Sequence, residues 1–144
     1  MKKIGLLMVG FLVLAQAEFK RGDNDLTVID TDTQLEWQDN SDVSSSFWSG
    51  AITYCHDLEL DNKDDWRLPN INELKSIVLE TQYAPTIDKK FKFTKNYRYW
   101  SSTRRKNINN HYWIINFKNG IVDSLYNTNN ATYYSYIRCV RDAD

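Results

Sequence analysis

The chain has 144 residues, with 18 lysines and arginines against 19 aspartates and glutamates, for a formal net charge of −1 at pH 7. So balanced a charge excludes a uniformly basic nucleic-acid-coating protein, and 42% hydrophobic content with only five glycines and two prolines excludes a collagen-like or low-complexity chain. Aromatic residues make up 14%, five of them Trp and nine Tyr, which supplies large buried area per side chain and fits one domain with a single core.

At the N-terminus Lys2 and Lys3 precede an apolar run from Ile4 to Leu14 that ends in Ala15-Gln16-Ala17, the layout of a secretory signal peptide with a small-residue cleavage site. The run is about half the length of a membrane-spanning helix, and a charged segment follows it. Residues 1–17 are therefore expected to be a signal peptide and residues 18–144 a single domain, periplasmic or extracellular, without a membrane span. Export also argues against a nucleic-acid partner.

The two cysteines, Cys55 and Cys139, both lie in the exported part, where an oxidising compartment favours pairing them. A reactive thiol or a metal site is the competing reading. No zinc-ligand spacing is present, so no metal and no cofactor are expected.

Along the mature chain, "LTVIDTDTQLEWQD" gives two alternating runs around an Asp/Thr cluster, a hairpin with Leu26, Val28, Leu35 and Trp37 on its inner face. Trp48, Ala51, Ile52, Cys55 and Leu58 then recur at helical spacing. After the acidic connection Asp61–Asp65, "DDWRLPNINEL" leads into a second helix expected over 71–80. Pro69 disfavours helical geometry at Leu68, and Asn70 and Glu73 have capping-box spacing. Trp66 is read as a core plug, and Arg67 as a fork joining the loop to backbone carbonyls or to a carboxylate such as Asp65.

Beyond residue 96 the pattern becomes strands: "YRYWSST", "HYWIINF", "GIVDSLY" and "TYYSYIRCV". Asn119-Gly120 reads as a tight hairpin turn. Alternation places Tyr99 and Trp100 on opposite faces of the first of these strands, so both of its faces are expected to be buried, with Trp100 part of the scaffold. The sum is an α+β domain, two helices packed on antiparallel sheet with an N-terminal hairpin and one disulfide.

Trp48 and Cys55 in the first helix, "DWRLPNINEL", "YWSST", the Asn119-Gly120 turn and the terminal "IRCVR" together resemble the Lcl C-terminal domain family, over about residues 26–141. That resemblance implies a fold similar to C-type-lectin-like and formylglycine-generating-enzyme-like domains, and kinship with the collagen-like bacterial adhesin that gives the family its name. The formylglycine-generating relative is an oxidase with a copper-binding cysteine pair, but here one cysteine pair cannot serve as both bridge and copper site. His56 and His111 sit on unrelated elements, and neither a nucleophile elbow nor an HExxH motif occurs, so no enzyme is expected. The calcium and carbohydrate motifs of true C-type lectins are missing, and Asp61, Asp64 and Asp65 lack a calcium-loop glycine.

Charge distribution says more than net charge. Residues 18–88 contain sixteen acids and five cations, whereas residues 89–106 contain eight cations and no acid: Lys89, Lys90, Lys92, Lys95, Arg98, Arg104, Arg105 and Lys106. Of these, Lys89, Lys90, Lys92, Arg98, Arg104, Arg105 and Lys106 are the candidate ligand-binding residues, in two loops expected to lie close together in space. The function expected is an adhesin-like secreted module recognising sulfated or acidic glycans, or other surface polymers, through this basic patch. The alternative is a structural or self-assembly domain that contacts another envelope protein or another copy of itself, and an oligomer is compatible with either.

Overall fold

The computed structural model describes residues 2–5, 8–11 and 18–144. Much of the apolar leader and its cleavage motif, residues 12–17 included, lies outside the described residues. Among the described residues no helix is long and apolar enough to cross a membrane.

The chain forms β1 (Phe19–Arg21), β2 (Thr27–Asp30), β3 (Leu35–Gln38), β4 (Ser45–Ser46), α1 (Trp48–Asp57), α2 (Ile71–Ser76), β5 (Arg98–Arg104), β6 (His111–Asn116), β7 (Ile121–Tyr126), β8 (Ser135–Tyr136) and β9 (Val140–Asp142). The expected α+β architecture is present, but its strands divide into two sheets, ordered β1-β2-β3-β9 and β4-β8-β5-β6-β7. Neighbours run antiparallel except β5 and β8, which pair in parallel through Tyr99 and Tyr136. The expected hairpin is β2–β3, with Val28 opposite Trp37, both fully buried.

The C-terminal segment read as one strand is instead divided, because the chain crosses there from one sheet to the other. A short 3-10 turn (Ala131–Tyr133) precedes β8, and Ile137–Cys139 then carries the chain to β9. The disulfide between Cys55 of α1 and Cys139 sits in this crossing, with Cα atoms 5.5 Å apart. One buried cluster gathers around it, including Ala51, Trp66, Leu68, Trp100 and Ile137, and a second gathers Val28, Trp37, Leu74, Ile77, Tyr99 and Phe117. Trp100 is fully buried and its indole N–H donates to Ser46 O at 2.9 Å, which ties β5 to β4.

Two local expectations change. The second helix stops at Ser76 rather than near residue 80, because the amide of Leu79 is drawn away to Thr86 O at 2.9 Å; Ile77 nonetheless stays buried. The turn at Asn119-Gly120 is a four-residue connection, Phe117 to Gly120, instead of a two-residue one. Phe117 is fully buried in the core, so the chain turns only after it, with left-handed Gly120 (φ 77°) donating to Asn116 O at 2.7 Å.

The segment "DWRLPN" holds these parts together. Trp66 is 3% exposed, and its indole N–H donates to Leu60 O and Lys63 O at 3.3 and 3.1 Å. The backbone of Arg67 exchanges hydrogen bonds of 2.9 and 2.8 Å with Val140 of β9, while Pro69 O accepts from Ser102 N of β5 at 2.8 Å. One stretch of chain thus bonds to both sheets. Asn70 and Glu73 close the expected capping box. The Arg67 guanidinium grips Glu73 at 2.6 and 2.7 Å, not Asp65, whose carboxylate is held by Arg141 at 2.6 and 3.1 Å. Desolvation alone raises the Glu73 pKa, but the Arg67 fork and the Asn70 amide outweigh it and hold the carboxyl below its ordinary value. Replacing Trp66 by Phe keeps most of the buried ring and removes the donor to two carbonyls. It is expected to destabilise by about 1 to 2 kcal/mol in urea unfolding, and an unchanged midpoint would mean that the ring alone matters.

Candidate functional site

The basic segment is organised by acids that the strand alternation hides. All four residues of β3 are buried, Glu36 among them at 2% exposed, and Asp39 follows at 1%. Buried carboxylates demand partners, since desolvation of an unpaired charge costs several kcal/mol. Glu36 receives Arg141 Nη1 at 2.7 Å, Lys63 Nζ at 3.0 Å and the Thr27 hydroxyl at 2.9 Å. Asp39 receives Arg138 Nη1 at 2.8 Å, Arg21 Nη1, and the backbone amides of Lys92 at 2.7 Å and Phe93 at 3.1 Å.

Arg138 completes the anchor from the other side. It is 3% exposed; its Nη2 donates to Phe93 O at 2.7 Å and to the Thr94 hydroxyl at 2.8 Å, and its guanidinium lies 4.9 Å from the Phe91 ring centroid. Arg21 adds a bond from Nη1 to Lys90 O at 3.1 Å. The irregular segment between Lys90 and Thr94 is therefore held by a buried charge pair and its flanking bonds, without any strand or helix of its own. Buried Phe91 points inward from it, while Lys89, Lys90, Lys92, Phe93 and Lys95 stay exposed.

The candidate cations do not form one patch. Tyr97 N donates to Lys95 O and Lys95 N to the Tyr99 hydroxyl, which places the Lys89–Lys95 loop beside the start of β5. Arg104 is the last residue of β5, six residue steps beyond Arg98, about 20 Å at roughly 3.3 Å per step, and Arg105 and Lys106 follow it. The expectation that the two loops lie together is therefore corrected: the length of β5, buried at Tyr99, Trp100 and Ser101, separates them. All three candidate arginines also have partners within the domain. Arg98 Nη2 donates to Thr132 O and Tyr134 O at 3.0 and 3.2 Å, with its guanidinium 4.5 Å from the Tyr97 centroid. Arg105 Nη1 donates to the Ser124 hydroxyl at 2.9 Å and its guanidinium lies 5.1 Å from the Trp113 centroid. Arg104 reaches Asn109 Oδ1 at 3.2 Å.

Lys92 has a partner of its own. Its ammonium sits 2.8 and 2.9 Å from the two carboxylate oxygens of Asp25, which also accepts from Arg21 Nε at 2.7 Å. The bonds from Lys92 first, and then Arg21, hold the Asp25 carboxyl below its ordinary pKa. Two grooves lie against the loop and share Lys92 and Thr94. One, of about 370 Å³, is bounded by Ser41, Val43, Phe93 and Lys95; the other, of about 440 Å³, by Tyr83, Pro85, Ile87 and Lys89. A separate groove of about 570 Å³ belongs to Arg104, Lys106 and Asn107–Asn109.

The sequence singled out the cations but missed Glu36, Asp39, Arg138 and the acid Asp25. One signal for the first three was available: arginines embedded in the apolar run "IRCVR" need buried anions, and "LEWQD" is where the chain supplies them. Among the described residues, no group of three or more His, Cys, Asp and Glu side chains has a metal-holding arrangement.

These features define a class: an α+β domain clipped by one disulfide, whose C-terminal arginines are neutralised inside by acids of an N-terminal hairpin, and which presents a pinned basic loop. The Lcl C-terminal domain profile matches residues 26–141, and the chain belongs to that family. No curated protein matches the chain.

Proposed function

We propose that this domain is an exported, non-enzymatic, adhesin-like binding module, built on a C-type-lectin-like scaffold, that recognises anionic glycans or other anionic surface polymers. The observation that carries the reading is the loop from Lys89 to Lys95. Buried Asp39 and Arg138 fix its backbone, and the side chains of Lys89, Lys90 and Lys95 are left exposed. A pinned loop loses little conformational entropy on binding, so cations held this way act as a preorganised site. Sulfate or carboxylate groups would take charge-assisted hydrogen bonds there. Export follows from the leader pattern and is in keeping with the disulfide. The non-enzymatic reading fits the histidines, since exposed His56 lies against neighbouring Asp57 and His111 packs on Tyr126.

Retention of the mature domain on a heparin column tests the reading. The parent should bind and elute with salt, because exposed charges are screened beyond about 8 to 10 Å. A Lys89→Ser, Lys90→Ser, Lys95→Ser variant should pass through, while an Arg104→Ser, Lys106→Ser variant should elute near the parent. Retention of the triple variant at the parental salt concentration would show that the pinned loop is not the site.

A second reading, self-assembly or docking on another envelope protein, draws on β7. It is one of the two edge strands of its sheet, and Ile121, Val122 and Tyr126 on it are 59, 38 and 45% exposed. Sedimentation that depends on protein concentration and is lost in Val122→Lys would favour it.

A further inference from the structure

We infer that Tyr83 makes this surface selective for saccharide chains, extending the basic loop into a furrow with a basic end and a cation-free, ring-binding end. The inference rests on the anionic-polymer reading above and names which polymers fit.

Three grooves stand in a row. The two beside the basic loop meet at Lys92 and Thr94, and a third, of about 330 Å³, joins them through Gln82 and Tyr83. That third groove is bounded by Val78, Glu80, Thr86, Asn119 and Gly120, with no cation among them. Charge is therefore graded along the row, from Lys95 through Lys92 and Lys89 to a stretch of amides, a hydroxyl and one carboxylate. Asp88, beside Lys89, is occupied locally, since its carboxylate accepts the amide of Lys90 at 2.8 Å.

Tyr83 stands where the gradient changes. At 69% exposed it is the most exposed large hydrophobic side chain in residues 18–144. Its backbone is nonetheless held, because the loop carrying it is tied down on both sides. Gln82 N donates to Leu79 O at 3.0 Å, Ala84 N to Lys118 O at 3.0 Å, and Thr86 N to Phe117 O at 2.7 Å. Gly120 at the groove wall is left-handed, which strains any residue with a Cβ, and a Cβ there would also press on Val78 Cγ1 at 3.2 Å, so glycine suits this close approach of the two loops. An aromatic ring held out in water on an anchored loop offers its face to a flat apolar surface, and the C–H face of a sugar ring is such a surface. Phe93, 37% exposed in the groove with Lys95, offers a second one. A uniformly charged, ringless polymer would use the lysines and gain nothing from Tyr83. A chain of sugar rings charged at only some positions uses both ends.

The test measures binding of the mature domain to a heparin-derived hexasaccharide and to inorganic polyphosphate of similar charge. Tyr83→Ala should lose about tenfold in hexasaccharide affinity and stay within about twofold of the parent for polyphosphate. Tyr83→Phe should keep parental binding of both. An unchanged melting temperature, expected for so exposed a side chain, assigns the loss to the ring. Equal losses for both polymers, or no loss for either, overturn the inference. The lysine variant separates it from the broader reading: if Lys89→Ser, Lys90→Ser, Lys95→Ser binds the hexasaccharide like the parent while Tyr83→Ala does not, the basic loop fails as the site and the saccharide-selective role of Tyr83 stands. A parent that binds neither polymer sinks both.

Discussion

Asp39→Ala is expected to destabilise the domain by about 3 to 5 kcal/mol, the range for removing one partner of a buried ion pair. The side chain of Asp39 is fully buried and that of Arg138 is 3% exposed, so truncation leaves a guanidinium in the interior without its counter-ion. It also strips the acceptors from two amides, Lys92 N and Phe93 N. Urea unfolding gives the energy, and amide hydrogen exchange gives the location: residues 90–94 should exchange faster than those of β5 and β6, which keep their ladders. Asp39→Asn retains an acceptor oxygen and the volume but not the charge, and should fall between parent and Ala. If Asp39→Ala melts with the parent, the buried pair does not hold the loop.

Breaking the disulfide should cost about as much or slightly more. The bond closes a loop of sequence separation 84, for which chain entropy gives about 4 to 5 kcal/mol as an upper figure. The site of the bond concentrates its effect, because Cys139 lies where the chain passes between the two sheets and Cys55 lies on the buried face of α1. A Cys55→Ala, Cys139→Ala variant therefore should show its lowered urea midpoint together with loosened packing of Trp100, visible in tryptophan fluorescence. Mass spectrometry of the exported protein should find the two cysteines linked. Two free thiols there, or a double variant as stable as the parent, would contradict this assignment.

Much of the fold could be read locally. Helical spacing located α1 and the inward direction of Cys55; the Asn70–Glu73 pair located the start of α2; alternation found β2, β3, β5, β6 and β7. These signals succeed because neighbouring residues supply both halves of each interaction. The division into two sheets was not legible, since it depends on Cys139 and Val140 returning to β3 across about a hundred residues. The site was half legible for the same reason. A run of lysines and arginines is visible in any reading, but what orders it is Asp39, one acid among sixteen in its half of the chain, buried only because Arg138 arrives from the far end. Strand alternation sends Glu36 to the solvent face of a simple hairpin. Here β9 extends the sheet beside β3 with Arg141 opposite Glu36, and the Arg141 and Lys63 side chains close over the carboxylate, so the exposed position becomes an interior one. Likewise nothing in the spacing of the cations revealed that Arg98 and Arg105 are held by the domain's own carbonyls, hydroxyls and rings.

The most direct test of the central claim, that the pinned Lys89–Lys95 loop is the recognition surface, is a two-dimensional amide NMR titration of the mature domain with the heparin-derived hexasaccharide. Shifts should concentrate at residues 89–95, at Ser41 and Val43 across the shared groove, and at Tyr83, while the amides of residues 104–109 at the other end of β5 stay in place. Shifts confined to residues 104–109 or to the β7 edge, with the 89–95 amides unmoved, would contradict it.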